Sequence, residues 1–145
     1  MEDGARGNQA AIAQNSGDGD VHASKLADVT RAMVNLYKEQ FGRGPVAARS
    51  EWAGNDMLVC RLEDSLTPAE KNMRRLGEHQ RLRDVRMFFQ YATLKGFVEP
   101  VEEITGRTVR SFISGIDTEE DVSVEVFVFH PAGSNKPSRA EKSAV

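Results

Sequence analysis

The sequence predicts an α+β protein, a two-layer sandwich in which helices cover one face of a mainly antiparallel four-stranded sheet. Three observations lead to this fold class. Apolar residues recur at helical spacing over residues 22–41. Two pairs of short β-like segments are each joined by a turn-forming stretch, AGND at 53–56 and an acidic loop at 117–121. A helical region between the two pairs gives the order α-β-β-α-β-β, with the second helical region kinked or split.

The first helix is predicted over residues 22–41 from the spacing of Leu26, Val29, Met33, Leu36, Tyr37 and Phe41. Gly42 follows at the position where a left-handed residue ends a helix, and Pro45 forbids continuation. The loosely alternating residues 46–52 and the apolar residues 57–62 then predict the first pair of strands.

The clearest helix start lies in SLTPAEK, where Thr67 is the N-cap, Pro68 the first helical residue and Glu70 the partner in a capping box. This helix is expected to stop or bend at Gly77. A longer helical run follows, with Pro100 expected to kink or restart it and Gly106 to close it. The periodic apolar residues of that run are Leu82, Val85, Phe89, Ala92, Leu94, Phe97, Val101 and Ile104.

The second pair of strands is predicted over residues 108–116 and 122–129. The last strand is apolar on both faces towards its end, which is typical of a central strand.

Composition indicates one globular domain. The 145 residues carry a net charge of −3 and a single cysteine, Cys60, so a wholly basic nucleic-acid-binding surface and an intramolecular disulfide are excluded. The first residues lack a secretory signal pattern and no apolar run is long enough to span a membrane, so we expect a cytoplasmic protein. We expect the domain to occupy residues 22–130, between disordered tails at 1–21 and 131–145.

The stretch Gly42-Arg43-Gly44-Pro45 could cradle a phosphate or form a turn. A phosphate-binding loop runs from a strand into a helix, whereas these glycines follow a helix and precede a strand. We therefore interpret them as structural and leave the role of Arg43 open. The residues predicted to have structural roles are Gly42, Gly44, Pro45, Thr67, Pro68, Glu70 and Gly106.

A concentration of basic residues over 71–86 is the main candidate binding surface. Three interpretations stay open: a solvated helix face paired with acidic neighbours, an interface for an acidic partner or anion, and a site for the nucleic-acid backbone. The acidic stretch at 99–125 gives the molecule a second electrostatic pole and suggests self-association. The candidate anion or partner patch consists of Arg43, Arg74, Arg75, His79, Arg81 and Arg86.

The sequence contains no pattern that indicates catalysis, a metal or a cofactor. Cys60 alternates with Leu58 and Leu62, which predicts a buried thiol rather than a nucleophile. His22, His79 and His130 are far apart and have no paired cysteines, so no zinc site is expected. We expect a protein that is not an enzyme.

Three segments together resemble the MpsC family of small bacterial domains: VNLYKEQFGRGPVAAR, LEDSLTPAEKNM and VEEITGRTVRSFISGIDTEEDVSVEVFVF. The resemblance covers residues 22–130. Two features depart from the family pattern: Asp64-Ser65 replaces a turn that contains glycine, and Pro100 lies within the last helix. No catalytic residues are implied.

The resemblance implies a non-catalytic soluble accessory protein, linked to a membrane ion or bicarbonate uptake system that generates membrane potential. The expected partner is a protein, such as a membrane transport component, and the expected assembly is a homodimer. The chain would then lie in the cytoplasm or at the inner face of the membrane through its partner, without inserting. The alternative is a regulator that binds nucleic acid or a nucleotide through the arginines of 71–86.

Overall fold

The computed structural model describes the backbone of residues 4–142 and the side chains from residue 21 onward, and it has the predicted α+β fold. Its elements are α1 (Gly4–Phe41), β1 (Ala47–Trp52), β2 (Met57–Glu63), α2 (Pro68–Arg75), α3 (His79–Ala92), α4 (Leu94–Thr105), β3 (Val109–Asp117), β4 (Val122–Phe129) and a short 3-10 helix, η1 (Arg139–Lys142).

The four strands form one antiparallel sheet in the order β1-β2-β4-β3, which confirms the predicted sheet. The two hairpins, β1–β2 and β3–β4, lie side by side because β2 pairs with β4. The position of β4 inside the sheet agrees with its apolar sequence.

The core lies between the sheet and the helices. Apolar side chains from α1 and α4 pack against alternate residues of β2 and β4, including Leu58, Leu62 and Phe127. The other face of each strand points away from this core, and β4 alternates strictly between buried and half-buried residues. Among the described residues, helices pack on one face of the sheet only, and the other face carries the four valines Val122, Val124, Val126 and Val128.

The helix α1 begins at Gly4, well before the predicted start at residue 22. Its backbone thus includes most of the stretch expected as an N-terminal tail. A helix that is already nucleated extends at low cost, because each further residue adds one backbone hydrogen bond without a new nucleus. Residues 1–3 of the expected tail lie outside the described residues.

The helical run after Gly77 is divided at Thr93 rather than at Pro100, which lies inside α4. The Thr93 hydroxyl donates to the carbonyl of Phe89 at 2.7 Å and accepts a hydrogen bond from the Gln40 amide of α1. The break reorients the chain so that Leu94 and the following apolar residues of α4 reach the core.

Residues 131–142 also differ from the expected tail. His130 Nε2 lies 3.1 Å from the carbonyl oxygen of Pro137, and the Ser138 hydroxyl donates to Glu102 of α4 at 3.1 Å. Ala140 packs against the core. Side-chain hydrogen bonds thus attach this segment of low hydrophobicity to the folded domain. Composition alone does not reveal such hydrogen bonds. Residues 143–145 lie outside the described residues.

Candidate functional site

The turn at Gly42–Pro45 ties α1 to the loop before α2. Gly42 has a φ of 77° and its N–H donates to the carbonyl of Lys38 at 2.9 Å, as expected of a residue that ends a helix. The Arg43 guanidinium donates to the carbonyls of Leu66 at 2.7 Å and Asp64 at 3.0 Å. Arg43 is therefore a tether between two loops.

Asp64 itself has a φ of 56°, a left-handed conformation that favours glycine. Glycine would adopt this conformation at lower cost, which is consistent with the glycine-containing turn that the family resemblance implies at Asp64-Ser65. The turn is held from the other side by Asp121, whose carboxylate accepts from the N–H groups of Ser65 and Leu66, each at 3.1 Å. Asp121 also adopts a positive φ, of 55°.

Arg86 is buried, whereas the sequence grouped it with surface arginines. Its side chain is 1% exposed and makes a two-point contact with the Glu70 carboxylate, at 2.5 and 2.6 Å. It also donates to the carbonyl of Ser65 at 3.0 Å, and its guanidinium carbon lies 3.7 Å from the centre of the Phe41 ring. Arg86 thus joins α2, α3 and α1 and cannot serve a surface patch.

Glu70 combines this ion pair with the predicted capping box. Its carboxylate accepts from the Thr67 N–H at 2.9 Å, while the Thr67 hydroxyl accepts from the Glu70 N–H. Burial raises the pKa of Glu70, but the hydrogen bonds from Arg86 and Thr67 outweigh it and leave the pKa below its ordinary value.

Three other residues of the predicted patch contact groups of the same chain, either in the β3–β4 turn or at the start of α3. Arg74 donates to the carbonyl of Glu119 at 3.2 Å. His79 Nδ1 lies 2.6 Å from the Thr118 hydroxyl, and Arg81 pairs with Glu78 at 3.4 Å. Arg75 is exposed. These residues share one corner of the molecule, where the basic helices α2 and α3 meet the acidic turn, and most of them already contact carboxylates or carbonyls.

The exposed side of α3 carries a surface that sequence periodicity did not reveal. Phe88 and Phe89 each lie three or four residues from both Val85 and Ala92, so the four share one side of the helix, and all are exposed, Phe88 at 68%. The helix buries Leu82, Arg86 and Gln90 instead. Periodicity grouped Val85 and Phe89 with Leu82 because an apolar stripe looks the same whether it faces a core or a partner.

A groove of about 580 Å³ adjoins this stripe, between the α3–α4 junction and the C-terminal segment. Its walls combine apolar side chains with basic ones. We call the stripe and the groove together the α3 surface. The residues that line the groove are Phe88, Tyr91, Ala92, Leu94, Lys95, Arg139, Ala140 and Lys142.

A buried polar pair crosses the core between α1 and β4. The Tyr37 hydroxyl donates to Glu125 Oε1 at 2.7 Å, and both side chains are fully buried. Burial raises the pKa of Glu125 to about 8, against the hydrogen bond from Tyr37, which lowers it. Glu125 is therefore mostly protonated at neutral pH.

Cys60 pairs with Glu125 across β2 and β4 and is fully buried. Burial raises the pKa of its thiol to about 11, so it is neither accessible nor ionised as a nucleophile would be. Among the described side chains, residues 21–142, no group of histidine, cysteine and acidic residues is arranged to hold a metal ion. In the same part of the chain, no helix has both the length and the apolar character needed to cross a bilayer.

These features define a small α+β domain whose polar clusters hold its own helices and turns together, and which exposes apolar groups on the α3 surface and on the sheet face away from the core. The chain belongs to the MpsC family: the model of this family, described as the Na⁺-translocating membrane potential-generating system (MpsC), matches residues 23–131. The resemblance inferred from the three sequence segments is thereby confirmed. No curated protein and no solved structure matches the chain.

Proposed function

We propose that this protein is a non-catalytic accessory component of a Na⁺-translocating, membrane-potential-generating system, and that it docks on a membrane protein of that system through the α3 surface. The family match supports the link to the system. The exposed apolar stripe on α3 is the observation that supports this choice of docking surface.

The stripe has the chemistry of a protein interface. Its aromatic side chains bury much apolar area with little rotamer freedom to lose, and such residues contribute most of the binding energy at many interfaces. The groove is lined by the basic residues Lys95, Arg139 and Lys142, of which Lys95 pairs with Glu99 at 3.6 Å. Basic groups beside an apolar stripe suit a protein partner that presents acidic side chains around an apolar patch.

We further propose that the protein acts as a homodimer in the cytoplasm, held at the inner face of the membrane through this partner. The arginines of 71–86 support the alternative of nucleic-acid binding less well. Arg86 is buried, and Arg74 and Arg81 are engaged by groups of the same chain.

The test is affinity capture of the tagged full chain from gently solubilised, nuclease-treated host membranes, with identification by mass spectrometry. The test variant is Phe88→Ser. The matched control is Val46→Ser, which removes a side chain of similar exposure, 73%, next to the edge strand β1 at the other side of the sheet.

We expect the wild type and Val46→Ser to recover an integral membrane protein of the cation-transport class, and Phe88→Ser to lose it. Direct binding to that purified protein should show the same order. Recovery of no such protein, or equal recovery by Phe88→Ser, would contradict the proposal. A nucleic-acid-rich complex obtained without nuclease would favour the regulator instead.

A further inference from the structure

The uncovered face of the sheet is apolar at its centre, where a solvated face of an antiparallel sheet is normally polar. Four valines of β4 lie in a row on this face, and Val59 of β2 and Ile113 of β3 lie beside Val126 on either side. Ile113 is 53% exposed. We call this set the valine face.

We infer that the valine face is the surface through which two copies of this chain form a dimer. The inference rests on the proposed function in one respect, because it identifies the interface of the homodimer proposed there. The valine face is a different surface from the α3 surface proposed for docking.

The size of the face fits a small dimer interface. Four strands spaced about 4.8 Å apart and about seven residues long give a sheet of roughly 19 by 23 Å, or about 440 Å² in projection per copy. Side chains stand out from the sheet, so the accessible area exceeds the projected area. Two faces together therefore approach the area of roughly 1,200 Å² at which specific interfaces begin.

The distribution of charge also fits. Most charged side chains of this face lie on β1, where Arg49 pairs with Glu51 at 2.8 Å, and on β2, where Arg61 pairs with Glu63 at 3.5 Å. Asp117 lies on the same face at the end of β3. The apolar residues of β4 and β3 are thus bordered by charged residues, most of them in ion pairs of their own sheet, as the polar rim of a protein interface is.

The strand register makes the face complementary to itself. One row across the sheet consists of Arg49, Arg61, Val124 and Gly115, and the next row on the same face consists of Glu51, Val59, Val126 and Ile113. A two-fold axis that runs across the strands between these rows places each row over the other row of the second copy.

In this arrangement Val124 faces Val126 of the second copy, and Ile113 faces Gly115, which has no side chain to obstruct it. Towards β1, the opposite charges of Arg49 and Glu51 come near each other across the interface. Arg61, which pairs with Glu63 of its own strand, lies over Val59 of the second copy. Packed sheets cross at about 30°. Such a rotation displaces residues least near the centre of the face, so the pairs on the central strands β2 and β4 stay closest to this alignment.

Sedimentation velocity of the full chain over a concentration series tests the inference. The two test variants are Ile113→Lys and Val126→Lys, whose side chains face solvent in a single copy, and the matched control is Phe88→Lys on α3. Far-UV circular dichroism verifies that each variant is folded.

We expect a dimer for the wild type and for Phe88→Lys. Each valine-face lysine should raise the dissociation constant at least about 100-fold, because two-fold symmetry places two unpaired ammonium groups in the apolar centre. A wild type that stays monomeric at every concentration would overturn the inference, as would folded dimers of both valine-face variants. Dissociation caused by Phe88→Lys would overturn it too, by placing the interface on α3.

The same variants separate this inference from the proposed function. Capture of the membrane partner by a monomeric Ile113→Lys protein would leave docking through α3 in place while supporting the valine face as the dimer surface. Loss of capture by Phe88→Ser tests the docking alone.

Discussion

The buried Glu125 makes the stability of the fold depend on pH in a direction that can be worked out. Its pKa is about 8 in the folded protein and 4.5 in its ordinary state. Because the folded state holds the proton more tightly, the stabilisation is fully present below about pH 4.5 and is lost as pH rises towards 8. The slope within this window is about 1.4 kcal/mol per pH unit.

The test substitution is Glu125→Gln, which keeps the shape and the acceptor for Tyr37 but cannot ionise. At pH 7, ionisation in the unfolded state lowers the wild-type free energy of unfolding by roughly 3 kcal/mol relative to acid pH. The variant lacks this loss. We therefore expect the two proteins to be similar in stability near pH 5 and the variant to be more stable, by roughly that amount, at pH 7.

The measurement is urea denaturation followed by circular dichroism at several pH values between about 5 and 8. Glu103→Gln, a substitution of an exposed glutamate on α4, is the control and should keep the wild-type slope. Other titrating groups contribute equally to wild type and variant, so they cancel in the difference. Parallel pH profiles for wild type and Glu125→Gln would refute the reasoning.

Three further predictions concern the structural clusters. Arg86→Met should lower the free energy of unfolding by about 3–5 kcal/mol in urea denaturation, because it leaves the Glu70 carboxylate without its partner. Arg75→Met, at an exposed position, should change it by less than about 0.5 kcal/mol, and equal effects would argue against a stabilising role of the Arg86–Glu70 ion pair. Thr67→Ala should cost about 1 kcal/mol through loss of the capping box, and Thr67→Ser should restore most of it. Cys60 should react with an aromatic disulfide reagent only after denaturant is added, since it is buried with a pKa of about 11; rapid labelling of the native protein would contradict its burial.

Local rules explain most of the elements that could be predicted. The capping box at Thr67, the left-handed glycines at 42 and 106, and the alternation of β2 and β4 each depend on residues close in the chain. The break at Thr93 could not be predicted in this way, because it depends on contact with Gln40 on another helix.

The candidate surfaces were less accessible to sequence reasoning. The arginine cluster could be identified from the sequence because charge is visible there, but the partners of Arg86 and His79 lie on other elements and are not visible. The exposed stripe on α3 has the same apolar spacing in the sequence as a stripe that faces the core. No local signal distinguishes the two, since the difference is whether another element packs on it.

The sequence by itself thus determined the fold class, the order of the elements and the family, since these follow from periodicity, capping and motifs within short segments. Only the tertiary structure decided which charges are buried, which apolar faces remain uncovered and where the polar pair of Tyr37 and Glu125 lies. Burial is a property of the packed chain, because it depends on side chains that are distant in sequence and adjacent in space.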